Sequence, residues 1–553
     1  MGVGIQWALF KYVQSYLGMS VISTTNDIFY IGTGLIQGRS AIAAIIWVIG
    51  AFLLIGCFIV NLVTIRKQSP DLIKKTSLMT ILGALLFIMS DIQQYGIFFH
   101  GSAGICIPVG IPLIFFLGFW GYRAAENLEN KIELENELPY DEKIPWLNIT
   151  LPRISRSLLV NELTILIFLS VFVKIIVFSA SLYTPFEAVH THLDLYYRYT
   201  DSLFSGKLPY IDFTVEYPQL FFIPAILAFI PALIIHNSWA YFFSFMTLMY
   251  IIDAATIVCV YLIAIKLFGQ EKAFLCGLLY VTAIPAAFFI PITFDIVPTF
   301  FLMFSLVLYM YGRQAAGYLS ASAGTLTKWF PVFALPFFVV HGVKNGNDLK
   351  SVIKGISLSI FLFAASTVPF IVINYQGFLN TYFFHFNRIA ELHSLIYYGD
   401  ALAKHFLNIE PFSRISMVLL VILEGVLVFW YYRFLKNDLL TLCYVVFLGI
   451  FFFLLVNKVF SACFIIWLTP FLALFLINSN REILLFYVME CIVYIETPLL
   501  FGIVYGNGKP YAIIENSLPT ISFIFYTLKF AIFFVVLYVI LRNIGSVEIL
   551  IAH

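Results

Sequence analysis

The chain has 553 residues, of which 61% are hydrophobic and only 11% charged, and its mean hydropathy is +0.96. That balance excludes a soluble globular protein, because too few polar residues are present to face water, and it marks a polytopic membrane protein. The 31 basic and 30 acidic residues leave a net charge of +1, so no electrostatic footprint for nucleic acid exists and none is expected as a partner.

In chain order, apolar runs fall at 41–65, 77–98, 104–122, 161–183, 240–265, 273–291, 296–312, 354–373, 414–432, 439–456, 461–477, 483–503 and 520–541. Many reach the ~20 residues a helix needs to cross a hydrocarbon core, so the expected fold class is all-α, a helical bundle with about thirteen or more transmembrane helices. Three segments are less regular. Residues 5–36 carry Lys11 and Asp27, 219–236 is broken by Pro224 and Pro231, and 318–340 is broken by Pro331 and Pro336. The seven cysteines include no CxxC pair, and most lie in apolar runs where cysteine acts as a small hydrophobe. No cleavable signal peptide is expected at the start.

The charged stretch after residue 123, RAAENLENKIELENELPYDEK, separates an N-terminal group of spans from the rest. The domain reading is an accessory transmembrane bundle at 1–125, a linker at 126–160 holding a short surface helix and then an extended part, and a main transmembrane domain at 161–553. Asp91 lies in an apolar run near Gln93, Gln94 and His100, where solvation at the interface accounts for it. The glycosylation triplet Asn148-Ile149-Thr150 falls in the linker.

Lys and Arg cluster at 66–75, 123–156 and 344–354, which places those loops in the cytoplasm. Alternating outward from them puts 183–218, 374–412, the turn at Asn457–Lys458 and 504–519 together on the opposite side. For Lys266 and Lys272 to be cytoplasmic as well, 219–236 must dip in and return, and by the same reasoning 318–340 turns back near Lys328.

The most polar of the outer segments is HLDLYYRYTDSLFSGKLPYIDFTVEYP at 192–218. Residues 188–204 mix apolar and charged side chains in the manner of an interfacial helix, and Gly206, Pro209 and Pro218 end it in turns. Asp194 and Arg198 stand at the i,i+4 spacing of an ordinary helix ion pair. Asp212 and Glu216 have the spacing and surroundings of turn-capping groups.

This loop resembles the first extracytoplasmic loop of GT-C superfamily membrane glycosyltransferases, in the branch that uses polyprenyl-phosphate mannose. The pattern of that branch is a D-L-x-x-Y start, a G-x-L-P-Y-x-D-F centre and an E-Y-P-P end; here Arg198 stands at the tyrosine position of the first, one residue before Tyr199, and Gln219 replaces the second proline of the last. FDIVP at 294–298, GTLTKWFPVFALP at 324–336 and NKVFSACFIIWLTP at 457–470 are similar to later motifs of that branch in the same order, with HFNRIAELHSL at 385–395 as a fainter match. Ala462 and Cys463 depart from the usual Pro-Gln pair. The resemblance implies a GT-C-type bundle and transfer of a hexose, mannose by family, from a polyprenyl- or dolichyl-phosphate donor to a lipid or glycan acceptor, without cofactor or metal.

The implied chemistry needs a carboxylate to accept the proton of the acceptor hydroxyl and donors to hold the leaving phosphate. Asp194 matches the family's catalytic carboxylate, and the resemblance assigns it as general base with inversion. Asp212, Glu216 and Asp295 are candidates for holding substrate, Asp295 alternatively for capping the following helix. Lys328, Arg388 and Lys458 are the cationic candidates for the phosphate. Lys328 sits deep in an apolar run, where a cation is costly unless paired or facing a wet cavity; Lys458 also fits a snorkelling anchor and Arg388 a plain loop charge. His190, His192, His385 and His393 form no metal-ligand spacing, and no metal is expected.

The rival from another class is a transporter or flippase of lipid-linked sugars, for which proline-broken helices also speak. No internal repeat supports it, and no WWDxG-like signature or large soluble C-terminal part supports transfer of whole oligosaccharides to protein. Frequent Ile, Tyr and Lys fit an AT-rich genome, so the expected location is a prokaryotic, archaeal plasma membrane with the site on its outer side.

Overall fold

The computed structural model describes residues 74–83, 142–144, 149–151, 162–171, 173–174, 187–235, 238–346, 349–391, 393–409, 411–496 and 519–549. Almost all of these are helical, with one exception in the linker: Glu142–Ile144 (β1) pairs antiparallel with Ile149–Leu151 (β2), Lys143 opposite Thr150. A strand pair therefore stands where an extended linker was expected. The residues of the accessory bundle other than 74–83, the charged run at 123–141, and Asp91 lie outside the described residues.

The main bundle runs α1 (Glu187–Phe204), α2 (Phe222–Ile235), α3 (Ser238–Phe268), α4 (Gln270–Val281), α5 (Ile284–Phe289), α6 (Ile296–Met310), α7 (Gln314–Thr325), α8 (Ala334–Lys344), α9 (Leu349–Asn387), α10 (Leu395–Leu407), α11 (Pro411–Arg433), α12 (Leu439–Val456), α13 (Ile465–Phe475), α14 (Asn480–Tyr494) and α15 (Pro519–Ile549). Among the described residues five helices are long and apolar enough to cross a membrane, at Ala240–Phe268, Leu349–Asn387, Pro411–Arg433, Leu439–Val456 and Ile524–Ile544. The other apolar helices are shorter than the ~20 residues of a full span. Their faces are buried against one another: Phe245, Met249, Phe337, Phe447, Phe471 and Phe475 are among the residues of a continuous core.

The segment around Lys328 reverses. The Tyr309 hydroxyl at the end of α6 donates to Phe338 O at 3.1 Å and meets His341 Nδ1 at 3.1 Å, so α6 and α8 finish side by side. Because α7 begins just after α6, α7 must run away from that end and α8 must return to it. Between them lie a turn at 326–329 and a 3-10 stretch, Phe330–Phe333. At ~1.5 Å per residue each arm is roughly 17–18 Å long, about half a hydrocarbon core, and Lys328 sits at the tip. The same Lys- and Arg-rich end of the bundle holds Lys266, whose ammonium lies 5.3 Å from the Tyr311 ring, and Lys344, whose Nζ donates to Tyr431 O and Leu435 O. The break at 219–236 is milder: α2 is one helix through Pro231, and it packs against α3, where Ser244 Oγ donates to Ala228 O.

α9 is 39 residues long and kinks at Asn374 (φ −152°, ψ 85°), five residues after Pro369. Up to the kink it is long enough to cross a membrane; beyond it, 375–387 lies across the end of the bundle opposite the lysine-rich end. Gly377 explains how closely the 205–221 loop can approach, since a Cβ there would collide with Tyr210 O. The expected interfacial helix is α1, which terminates at Gly206 in the left-handed region (φ +86°). Tyr210 shares that conformation (φ 63°) and is held in it by its hydroxyl, which donates to Tyr217 O at 2.6 Å, and by ring packing on Phe370 and Phe378.

Candidate functional site

Asp295 and Lys328 form the centre. Asp295 occupies the residue before α6, yet its backbone is helical (φ −58°, ψ −25°) and its carboxylate caps no helix N–H. Instead Oδ1 accepts both Lys328 Nζ at 2.6 Å and Trp467 Nε1 at 2.6 Å. Asp295 is buried, and the Lys328 side chain retains 16% exposure. The Lys328 ammonium is walled by the rings of Phe294, Phe464 and Trp467 at 4.8–5.2 Å. Trp467 is itself clamped by stacking on Phe330 and Phe464, with centroids at 4.3 and 4.1 Å. Lys328 is thus paired at depth and does not snorkel.

The 205–221 loop closes over this pair. Leu220 N–H donates to Leu326 O at 2.8 Å, tying the loop to the hairpin tip, and from the post-kink part of α9 Thr381 Oγ1 donates to Val215 O at 2.6 Å and His385 Nε2 meets Glu216 O at 2.8 Å. Tyr196, Tyr217, Phe221 and Phe294 pack as a ring cluster beneath, with centroids 4.7–5.9 Å apart. The His192 ring is reached by solvent but so closely surrounded that burial, then the positive charge of Lys328, hold its pKa below 6.5; Asp295 opposes this and Arg388 adds to it. Trp329, beside Lys328, packs on Tyr382 and His385, and its indole N–H is buried without a hydrogen-bond partner.

A second cluster adjoins it. Arg388 donates to Glu391 Oε1 from Nε at 2.9 Å and Nη2 at 2.5 Å, while His393 Nε2 lies 2.9 Å from Glu391 Oε2. Glu391 N–H donates to Lys458 O, and Lys458 Nζ donates to Phe386 O at 2.8 Å. Arg388 is therefore a paired loop residue near the centre, and Lys458 staples the 386–391 segment to the turn after α12.

The loop carboxylates separate. Asp212 shapes its turn, its Oδ2 accepting Leu208 N–H at 2.7 Å while its own N–H donates to Leu208 O. Glu216 is half-buried beside Tyr199 and His385. Asp194 is exposed: Leu193, Tyr196 and Thr200 form the buried face of α1, whereas Asp194, Arg198 and Asp201 share the outward one. The expected ion pair with Arg198 is replaced by a 3.4 Å contact from Arg198 Nε to the Asp194 backbone carbonyl.

Of the residues the sequence singles out, the fold joins Asp295 and Lys328 directly; Arg388 pairs with Glu391 in the adjoining cluster, and Asp194, Asp212 and Lys458 do not touch the Lys328–Asp295 pair. Sequence reading passed over Trp467 and Trp329, which looked like ordinary apolar-run aromatics, and His192 and His385, which were weighed only as metal ligands. Among the described residues no group of three or more His, Cys, Asp or Glu side chains could hold a metal ion. No family model, characterised protein or solved structure matches the chain.

Proposed function

We propose that this chain is an integral membrane glycosyltransferase that moves a hexose, mannose by resemblance, from a polyprenyl-phosphate donor to a lipid or glycan acceptor on the extracytoplasmic side. The observation that carries this reading is convergence: the segments at 192–218, 294–298, 324–336, 385–395 and 457–470, chosen from sequence, all supply residues around one paired, ring-walled lysine. Lys328 and the unpartnered Trp329 N–H are donors suited to a phosphate diester oxygen, and charge developing there is best held by preorganised donors. The acceptor hydroxyl oxygen attacks the anomeric carbon, its proton passes to a carboxylate, and the carbon–oxygen bond to phosphate breaks with its electron pair leaving on polyprenyl phosphate. Direct attack inverts the anomeric centre.

For the base we keep Asp194, whose carboxylate has neither ion pair nor turn to explain it. It lies on the exposed face of α1, while Glu216 faces the His385 side. The test is transfer of radiolabel from polyprenyl-phosphate hexoses to membrane lipid extract by purified protein. Asp194→Asn should lose at least ~100-fold, the low end for removing a general base. If Glu216→Gln loses activity and Asp194→Asn does not, the base is Glu216; if no sugar moves with wild type, the whole reading fails.

Transport of a lipid-linked sugar is the second reading. It is favoured by two fully buried ion pairs, Lys174–Asp253 at 2.5 Å and Lys529–Glu496 at 2.6 Å, since intramembrane charges mark transport paths. In vesicles a transporter would carry the label across without forming a new glycosidic bond.

A further inference from the structure

At the lysine-rich end, far along the bundle from Lys328, lies a cavity of about 570 Å³ between the ends of α3, α6 and α8 and the starts of α7 and α12. Leu267, Met310, Leu439 and Leu440 supply its apolar lining. Lys266, His341, Asn345, Asn437 and Asp438 supply its polar lining. These polar groups are held in place: Asn437 Nδ2 donates to Asn345 Oδ1 at 2.6 Å and to His341 O at 3.1 Å, and His341 Nδ1 meets the Tyr309 hydroxyl.

Lys266 and Asp438 are the charged residues of the lining, and Asp438 has Oδ1 engaged with Thr441 N–H at 2.7 Å as the cap of α12. Two further cations are sequence neighbours of the lining, Arg313 between Gly312 and Gln314 and Lys344 before Asn345, the Lys344 ammonium being held by Tyr431 O and Leu435 O. The start of α7 also opens here, and no side chain caps it, so its first N–H groups contribute a positive field.

We propose that this cavity binds a phosphate-bearing anionic head group. A basic pocket between apolar helices at a membrane's lysine-rich face suits such a group, with Lys266 and the amides on the phosphate and the apolar lining against glycerol or acyl carbons. A soluble phosphate has the same head chemistry, and the experiment separates the two sources. None of this rests on the glycosyltransferase reading.

The full chain in neutral detergent is titrated calorimetrically with dihexanoyl phosphatidic acid, dihexanoyl phosphatidylcholine and inorganic phosphate. Saturable binding of phosphatidic acid but not phosphatidylcholine is expected, about tenfold weaker in Lys266→Gln and unchanged in Lys207→Gln, an exposed lysine at the other end. Inorganic phosphate binding as tightly as phosphatidic acid supports the site and assigns it to a soluble ligand; much weaker binding assigns it to lipid. The proposal is overturned if neither phosphate compound binds saturably, if phosphatidylcholine binds equally, or if both lysine variants weaken binding alike.

Discussion

Lys328 and Asp295, 33 residues apart in sequence, meet at 2.6 Å where the tip of a half-membrane hairpin touches the start of α6. A pair so placed fixes both elements, because either charge alone would be buried without compensation. Lys328→Met and Asp295→Leu are each expected to destabilise by ~3–5 kcal/mol, whereas Lys328→Met/Asp295→Leu together should recover most of that loss. Thermal melting in detergent of the two single variants and the double variant tests this. Additive losses would show that the two side chains are not coupled.

Trp467 donates to the same oxygen as Lys328. Trp467→Phe keeps the stack on Phe330 and Phe464 but removes the N–H, and should cost about 1.5–3 kcal/mol, the range for a hydrogen bond to a charged group. Sugar transfer should fall with it. A stability equal to wild type in the same melts would contradict the bond.

Two glycines should respond with opposite sign. A Cβ at Gly377 would collide with Tyr210 O, so Gly377→Ala should destabilise by ~1–3 kcal/mol or more and loosen the 205–221 loop, seen as faster amide exchange there. Gly425 in α11 has nothing within 4 Å of its Cβ position, and Gly425→Ala should stabilise by up to ~1 kcal/mol through helix propensity.

Acid should weaken the end of the bundle around Lys328 in two steps. His192 is held below its ordinary pKa of 6.5, by burial and then by Lys328, so the unfolded chain binds the proton more readily; stability is full above pH 6.5 and declines as pH falls below it. Glu391 is half-buried, which raises its pKa, but His393 and Arg388 outweigh this and hold it below 4.5, so its contribution is present above pH 4.5 and is lost as pH falls through its lower folded value. Melting curves from pH 7.5 to 4 should therefore show a first decline beginning near 6.5 that is reduced in His192→Gln; an unchanged profile in that variant would remove His192 as its source.

Much of this arrangement was legible in the residues. Proline pairs in an apolar run and a lone lysine between Thr327 and Trp329 were enough to expect a reversal at Lys328, since charge at membrane depth and a broken helix constrain one another. Other features were not legible. Asp295 could equally have been a helix cap, and Trp467 one more aromatic in a greasy helix, because neither role is written in local spacing. The kink at Asn374 likewise depends on the loop it must reach.

By itself the sequence determined that this is a membrane-embedded helical protein, with basic residues gathered in some loops and acidic, aromatic residues in others, because lipid penalises unpaired backbone and charge at every position along the chain. Which charge meets which was decided by the tertiary structure. Pairing Lys328 with Asp295 and Trp467, turning Asp194 outward, and opening a basic cavity at the far end all depend on helices distant in sequence arriving at one height, and local composition carries no information about height.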